Sequence, residues 1–399
     1  MIPTKDRPEL LKQALLSVQS QDFKDWEIVV SDNGTGPATG EYVASLKDPR
    51  ILYFKTPRSL SVTDNWNQAL AMSLGDYVVM LGDDDALCPG YFSRMRSLIE
   101  KFQHPDFLYT KAYQFIYPGV MAAFPEGYLQ ECGAAPFFHG RKEPFLLEKA
   151  KAQPLVQDTL EFRLSFEYNM QYALVKRELI ESIERKDRFF QSLFPDYYAM
   201  NLLFYFSEKT VIVPEPLVII GVANRSYGYF HHNNDEEAGI SFLNASKQVP
   251  GLVGGYRFLP GSYINTGWLD ASIAIKQKLE VDSLRIDYGK YRRLQYLALL
   301  ERSLKSHGSR EKIKKDLMEF SVWERVFFYP LRCFLGLILR GGFRGPKAFM
   351  DHKVSGLVAF LKLKLPFLYQ FPESHGYKVR GQYQCITEVF EGLKGKTHA

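Results

Sequence analysis

Cysteine and long apolar runs are scarce in this sequence. Its 399 residues include 4 Cys, and none stands in a C-x-x-C pair or at another zinc spacing, which excludes a zinc-finger module and a disulfide-dense scaffold. An uninterrupted run of about 18 apolar residues is missing, so we expect no membrane-spanning helix. The opening residues also lack the apolar segment of a secretory signal. We therefore expect a cytoplasmic protein with reduced, buried thiols.

The net charge of the whole chain is only +5, but positive charge is concentrated toward the C-terminus. Apolar residues make up 46% and charged residues 24% of the chain, which excludes collagen, coiled coil and wholesale disorder. Residues 281–399 carry about 22 Lys and Arg against about 11 Asp and Glu, so this segment is near +11 and the remainder near −6. Such a segment could meet a phosphorylated substrate, an anionic membrane or nucleic acid. Because no nucleic-acid recognition motif accompanies it, we do not expect nucleic acid as a partner.

The first 110 residues alternate short apolar strands with amphipathic helices, the pattern of βαβ units and a largely parallel sheet. Strands are predicted at 26–31, 51–55 and 76–81, and helices at 8–21, 40–47, 63–74 and 90–102. Farther on, the pattern predicts a helical patch at 144–151, strands at 172–175, 211–213 and 217–222, and helices at 176–185 and 196–207. The remainder is expected to be mostly helical.

Carboxylates follow two of the predicted strands directly. Asp32 comes after the first of them, and Asp83, Asp84 and Asp85 come after the third. In open α/β sheets, ligands bind at this edge. Mg²⁺ or Mn²⁺ would relieve the repulsion within the triplet, and such ions are completed by water and substrate phosphates. Asp32 could accept hydrogen bonds from a nucleoside. The alternatives are a solvated acidic turn for the triplet and a plain Asp-Asn-Gly turn for Asp32.

Several segments, in this order, make the chain resemble a family 2 glycosyltransferase. Residues 2–8 (IPTKDRP) are similar to the family's I-P-T-x-N-R loop, and residues 27–34 (EIVVSDNG) to its E-I-I-V-V-D-D-G segment. Residues 67–70 and 75–85 are similar to its N-x-G/A-L and G-x-Y-I-x-F-L-D-x-D-D stretches. The resemblance is strong to about residue 110 and moderate to about residue 225.

The resemblance implies an α/β fold of the GT-A type, with a mixed sheet flanked by helices and a mostly helical, basic C-terminal extension. It suggests a GT-A domain over residues 1–225, divided into a nucleotide-sugar half (1–110) and an acceptor half (111–225). A connecting region would follow over 226–280, and the basic helical region over 281–399. Only Met1 precedes the first strand, so we expect either a short strand or a start farther upstream.

The resemblance also implies a donor site and a metal site. The donor nucleotide would be bound by Pro3, Thr4, Arg7, Asp32, Asn67, Asp83 and Asp84. Asp84 and Asp85, with His231 as a further ligand, would hold Mn²⁺ or Mg²⁺. The register stays open at this point. The family pattern D-x-D-D would place Gly82 at the first acid, whereas Asp83 to Asp85 is an equally literal D-x-D.

Inverting sugar transfer needs a general base that takes the proton of the acceptor hydroxyl. In the family this base is a carboxylate that opens a helix about 100 residues after the metal motif, and Asp196 fits that place. Pro195 replaces the usual Glu, and Asn201 lies near where a basic residue is common. The alternative for Asp196 is a simple helix cap.

The implied function is metal-dependent, inverting transfer of a sugar from a nucleotide-diphosphate donor to a glycan or lipid-linked acceptor of a surface polysaccharide. Residues 323–371 interleave aromatics and leucines with Lys and Arg, as interfacial helices on anionic membranes do, although a core helix pair could share that composition. The composition leaves both interpretations open, and the first would place the protein at the inner face of the cell membrane. The alternatives are a sugar nucleotidyltransferase, whose G-x-G-T-R loop is missing, and a non-catalytic membrane-associated scaffold.

Overall fold

Three parallel strands form the N-terminal sheet in the order β1 (Ile2–Thr4), β2 (Ile28–Asp32) and β3 (Ile51–Lys55). The computed structural model describes residues 1–122, 124–133, 135–185, 187–232, 235–243, 252–304, 310–329 and 378–394. Helices α1 (Pro8–Gln19) and α2 (Ala38–Leu46) make the crossovers between the strands. Every residue of β2 is buried, as expected for a parallel strand covered on both faces.

A second, mixed sheet of eight strands continues from the first. The remaining strands are β4 (Tyr77–Val79), β5 (Ala86–Leu87), β6 (Phe107–Ile116), β7 (Tyr128–Cys132), β8 (Phe145–Leu147), β9 (Ala173–Lys176), β10 (Thr210–Val222), a hairpin of β11 (Leu252–Val253) and β12 (Tyr256–Arg257), and β13 (Lys378–Arg380). The second sheet runs β13-β7-β6-β10-β5, with β9 pairing both β4 and β6, and β8 pairing β10. The two sheets join where the Met1 nitrogen donates to the Val79 carbonyl at 2.9 Å.

Helices cover the sheets and extend toward the C-terminus. They are α3 (Val62–Ala71), α4 (Tyr91–Lys101), α5 (Lys149–Leu160), α6 (Arg177–Glu184), α7 (Pro195–Phe206), α8 (Tyr227–His232), α9 (Glu236–Phe242), α10 (Tyr263–Leu279), α11 (Tyr288–Leu304), α12 (Arg310–Leu317) and α13 (Ile386–Lys394); residues 322–329 are also helical. Trp268 of α10 is buried, and its indole N–H donates to the Thr159 carbonyl of α5 at 2.7 Å. Helix α10 therefore shares a core with the sheet-covering helices.

The α/β class with a mixed sheet and a mostly helical C-terminal part is confirmed, and the predicted elements of the first 110 residues occur at nearly the predicted positions. The helical patch predicted at 144–151 is wrong in part. Residues 145–147 form β8 because they pair with β10, and the helix begins only at Lys149. The strands predicted at 211–213 and 217–222 are one strand, whose register against β6 shifts twice, once on each side of Pro216.

The chain returns to the N-terminal half at residues 378–394, which the sequence did not predict. Strand β13 pairs antiparallel with β7, and the Thr387 amide and hydroxyl lie 3.4 Å from the Gln13 side-chain oxygen of α1. Ile386 packs with Ala86 of β5 and Ile219 of β10 in one buried apolar cluster. Residues 378–394 therefore pack against β5 and β10, next to the loop that carries Asp83, Asp84 and Asp85.

Within the described residues, none of the helices combines the length and the hydropathy that crossing a bilayer requires. Cys88 is buried, but Cys132 and Cys385 are only half-buried, and these three are free thiols. The expectation of buried thiols is thus wrong for two of them. Cys333 lies outside the described residues.

We expect Ile386→Ala to destabilise the protein by about 3 kcal/mol, because the substitution leaves a cavity at a fully buried contact between α13 and the sheet. Urea unfolding would measure the loss. Glu391→Ala on the exposed face of α13 is the matched control, since it removes only a surface ion pair with Lys394 and should change the free energy of unfolding by less than about 0.5 kcal/mol. Equal effects of the two changes would mean that α13 is not docked.

Candidate active site

One cavity of about 390 Å³ opens where β1, β4 and β10 end. The sheet contributes Thr4, the loop after β4 and the end of β10 to its walls, and helix α7 contributes Asp196. The hairpin of helices α8 and α9 closes the side away from the sheet, with Phe242 and Tyr227 on the wall. The volume is that of a small-molecule site.

Both oxygens of the Asp85 carboxylate accept hydrogen bonds from other groups of the protein. One oxygen accepts the Gly221 N–H of β10 at 2.8 Å. The other accepts the Gly82 N–H at 2.7 Å and the Gln171 amide at 2.6 Å. Burial and the neighbouring charge of Asp84 raise the pKa of Asp85 to about 7, against the lowering effect of these hydrogen bonds. Asp85 therefore fixes the shape of the loop.

Two glycines leave the space that this loop needs. A Cβ on Gly221 would lie 1.8 Å from the Asp84 carbonyl oxygen, and a Cβ on Gly82 would lie 2.6 Å from the Asp85 carboxylate. Both distances are far inside van der Waals contact, so neither position accepts a side chain without a shift of the loop. Where the family pattern has its first acid, this chain thus has a residue that must stay small.

Asp83 is neutralised by the first loop of the chain. It forms an ion pair with Arg7, and it accepts the Thr4 hydroxyl at 2.6 Å and the Arg7 Nε–H at 3.0 Å. Burial raises the pKa of Asp83 to about 6, although Arg7 opposes the rise. Asp83 is fully buried and does not line the cavity, so it positions Thr4 and Arg7, which do.

Asp84 differs from both neighbours. Its side chain lies on the cavity wall, and the one contact found for its carboxylate in the described part of the chain is Arg7 Nη1 at 3.5 Å. A buried carboxylate with so weak a partner is costly unless a ligand completes it. Asp84 and Asp85 both line the cavity, and Asp84 is the one of the two whose carboxylate is not already held by short hydrogen bonds.

Asp32 and Asn67, both assigned to the donor, lie off the cavity wall. Asp32 is fully buried, with its oxygens taken by the Tyr53 hydroxyl at 2.7 Å and the Gly34 N–H at 2.8 Å. Asn67 exchanges two hydrogen bonds with the Phe190 backbone at 2.8 and 3.1 Å. Both side chains hold loops in place in this structure. Pro3, Thr4 and Arg7, by contrast, line the cavity.

Asp196 opens α7 from the cavity wall, next to Pro195 in the first turn. Its carboxylate is half-buried and accepts the N–H of Tyr197 at 3.0 Å. Burial raises the pKa of Asp196 to about 7. A carboxylate with this pKa, open to a cavity, is suited to accept a proton near neutral pH.

The cavity also contains residues that the sequence did not predict. Its far wall is apolar and aromatic, formed by Trp66, Phe194, Tyr197, Phe242 and Ile264. The spacing of these residues in the sequence does not indicate a common wall, because they come from segments that are far apart in the chain. Asp84 and Asp196 therefore face a space that is polar at the sheet and apolar at the helices.

The donor set suits a metal ion that the substrate helps to bind. In the described part of the chain, no group of three or more His, Cys, Asp and Glu side chains is placed to hold a metal. Mg²⁺ and Mn²⁺ are commonly held by one or two carboxylates and substrate phosphates, and Asp84 with its weak partner fits that role. The side chain of His231, the predicted further ligand, lies outside the described residues.

Comparison with known proteins identifies the N-terminal part of the chain. Residues 1–118 match the family model described as glycosyl transferase family 2, which confirms the resemblance. GalNAc(5)-diNAcBac-PP-undecaprenol beta-1,3-glucosyltransferase of Campylobacter jejuni is 38% identical over 108 residues, 26% of this chain and 35% of that protein. The putative colanic acid biosynthesis glycosyl transferase WcaA of Escherichia coli is 30% identical over 114 residues, 28% of this chain and 41% of that protein.

The chain thus spans less than half the length of these two relatives. Among solved structures, S. aureus TarS superposes with a TM-score of 0.41 at 14% identity, over 74% of this chain and 51% of that one.

We expect Asp196→Asn to stabilise the protein by about 2 kcal/mol at pH 8 and by nothing below pH 4. The folded pKa of about 7 exceeds the ordinary 3.8, so the folded state holds the proton more tightly and stability falls as pH rises from about 4 to about 7. The amide removes this cost and keeps the hydrogen bond from Tyr197. Urea unfolding at several pH values would measure it, with exposed Asp25→Asn as control. Parallel pH curves for wild type and Asp196→Asn would contradict the prediction.

Proposed function

We propose that this chain, whose residues 1–118 belong to glycosyl transferase family 2, is a metal-dependent, inverting glycosyltransferase that uses a nucleotide-diphosphate sugar. One observation carries the proposal. Asp84, Asp85 and Asp196 line the same cavity, and of these Asp85 is already bound by three hydrogen bonds from the protein, which leaves Asp84 and Asp196 for ligands. A donor and a base site in one cavity is what direct sugar transfer requires.

At the donor end, Asp84 would hold Mn²⁺ or Mg²⁺ together with the donor diphosphate. Such an ion neutralises the charge that develops on the departing diphosphate. Arg7 and Lys5 lie on the same wall and would add positive charge beside the phosphates. Asp85, which also lines the cavity, would act by holding the loop through the three hydrogen bonds that its carboxylate accepts.

The nucleoside would lie along the ends of β1 and β2. Thr4 and Asp32 are register partners in these adjacent strands, so Asp32 lies one strand beyond the cavity wall. A nucleoside hydroxyl could replace Lys55, whose Nζ is 3.5 Å from the Asp32 carboxylate. Pro3 and Thr4 would contact the nucleotide from β1, and Asn67 would act only by holding the Phe190 loop.

At the acceptor end, Asp196 would take the proton of the attacking hydroxyl. Its raised pKa supports this role, because a base with a pKa near 7 is both ionised and basic enough at neutral pH. The aromatic wall beside it would stack on the faces of sugar rings. Inversion follows in this scheme from one in-line displacement without a covalent intermediate.

A lipid-linked or glycan acceptor of a surface polysaccharide is the proposed partner. The two relatives support it, since one is named for a PP-undecaprenol substrate and the other for colanic acid biosynthesis. The protein would then act in the cytoplasm at the inner face of the cell membrane, which the contact proposed for residues 323–371 would serve. Of that range, only 323–329 lie within the described residues.

We expect one of UDP, GDP, dTDP or CMP to bind in calorimetry only when Mn²⁺ or Mg²⁺ is present. Asp84→Asn should weaken the metal-dependent binding at least about ten-fold, because the amide retains the shape but loses the charge that the ion needs. Exposed Asp25→Asn is the control. Binding that ignores the metal would reject metal dependence. A folded protein that binds none of the four would favour the scaffold alternative.

We expect Asp196→Asn to retain donor binding and to lose about 100-fold or more in kcat. The wild-type kcat/KM should rise with pH through about 7, as the Asp196 carboxylate ionises, and this rise should vanish in the variant. Product analysis of the same reaction separates the enzymatic alternatives. Release of a nucleoside diphosphate indicates sugar transfer, whereas pyrophosphate from a nucleoside triphosphate and a sugar phosphate would indicate a nucleotidyltransferase.

A further inference from the structure

Exposed apolar side chains are concentrated in one short stretch. Among the described residues, twelve large apolar side chains are exposed, and six of these lie within residues 318–329. Trp323 is 82% exposed, and Met318, Val322, Val326, Phe327 and Tyr329 are each more than half exposed. The other six are scattered over the chain. Contiguous exposed apolar surface of this kind marks an interaction site.

The helix at 322–329 is held firmly, so this exposure is not a consequence of loose packing. Ser321 and Glu324 form a reciprocal cap, with the Glu324 N–H donating to the Ser321 hydroxyl at 3.2 Å and the Ser321 N–H donating to the Glu324 carboxylate at 2.8 Å. Glu324 also accepts two hydrogen bonds of 2.7 Å from Arg292 of α11. Phe328 is buried and stacks on Tyr296 with ring centroids 4.7 Å apart.

These anchors fix which face points outward. Glu324 and Phe328 are four positions apart and therefore share the inward face of the helix. Val322, Val326, Trp323 and Phe327 occupy the opposite arc, at the i, i+1, i+4 and i+5 positions of an outward stripe. The fold thus presents an apolar stripe to solvent while the other side of the same helix is fixed to α11.

Positive charge borders the stripe without acidic partners. Of the four acids between residues 310 and 329, Glu319 pairs with Arg257 at 2.6 Å and Glu324 with Arg292, while Glu311 and Asp316 lie in the same helix as the lysines. For Lys314, Lys315 and Arg325 no acidic partner is found among the described residues, and all three line a cavity of about 440 Å³ with Met318 and Tyr329. Arg325 donates to the Met318 sulfur at 2.7 Å, so the site combines apolar side chains with cationic groups that lack an acidic partner in the described part of the chain.

We propose that residues 310–329 form a docking surface for an anionic lipid bilayer. The outward stripe of Val322, Trp323, Val326 and Phe327 enters the interfacial region, and Lys314, Lys315 and Arg325 pair with lipid phosphates. An anionic bilayer requires both apolar side chains and cations that are not paired with acids, and residues 310–329 supply both. The inference deepens the proposed function and rests on it for a membrane-bound acceptor, but the surface is defined by these residues alone.

The test uses the full chain and vesicles of phosphatidylcholine with or without phosphatidylglycerol. We expect co-sedimentation with the anionic vesicles at low salt, weakening as salt is added. The emission of exposed Trp323 should shift to shorter wavelength on binding. Lys314→Glu/Lys315→Glu should weaken partitioning at least about five-fold per lysine, and Trp323→Ser/Phe327→Ser should weaken it on both vesicle types.

Matched variants elsewhere on the surface serve as controls. Lys47→Glu/Lys142→Glu makes the same charge change at exposed lysines outside the patch, and Leu252→Ser removes an apolar side chain that is 66% exposed. Both should partition like wild type. The patch variants should all retain nucleotide binding, so a failure of the donor site and a failure of this surface are separable.

The docking surface is rejected if wild type ignores anionic vesicles or if the control variants lose as much partitioning as the patch variants. Two other occupants of the stripe are tested separately, a second copy of this chain by sedimentation velocity and residues 330–377 by Trp323 emission. A dimer that Trp323→Ser/Phe327→Ser dissociates would assign the stripe to a second copy of this chain. A shift of Trp323 emission that is complete without vesicles would assign it to residues 330–377, and either result overturns the proposal.

Discussion

The Asp85 carboxylate is the group on which the geometry of this site depends. It receives hydrogen bonds from its own loop at Gly82, from β10 at Gly221 and from Gln171, so it joins three parts of the chain that are distant in sequence. The close approach of β10 to Asp84 is possible because Gly221 has no side chain. Because Asp85 holds the loop, the Asp84 carboxylate can line the cavity without forming short hydrogen bonds to the protein.

The acids around the cavity differ in how fully the protein satisfies their carboxylate oxygens. Arg7 and Thr4 satisfy Asp83, and hydrogen bonds from Gly82, Gly221 and Gln171 satisfy both oxygens of Asp85. Asp84 and Asp196 are left with unused capacity. Similar carboxyl groups therefore acquire different chemistry from their surroundings alone. A ligand that brings positive charge would be drawn to Asp84, whereas Asp196, whose pKa burial raises to about 7, could accept the proton of a hydroxyl.

Periodicity and turn residues were enough to predict the βα order of the first 110 residues, since each of those elements is encoded locally. The same signals placed Asp84 and Asp85 at a sheet edge and Asp196 at a helix start. They did not indicate that Asp32 and Asn67 bind Tyr53 and Phe190, because these partners are brought close only by the tertiary fold. The aromatic wall and the docking of residues 378–394 were hidden for the same reason, because each needs contacts between remote segments.

The return of β13 and α13 also bears on how the protein is made. Thr387 meets Gln13 across 374 residues of chain, so the apolar surface on Ala86 and Ile219, and the open edge of β7, have no cover until this last segment has been synthesised. Contacts of such high sequence separation form late and slowly. Until this segment docks, the edge of β7 lacks its β13 partner, and an unpaired edge is a place where another chain can add as a strand.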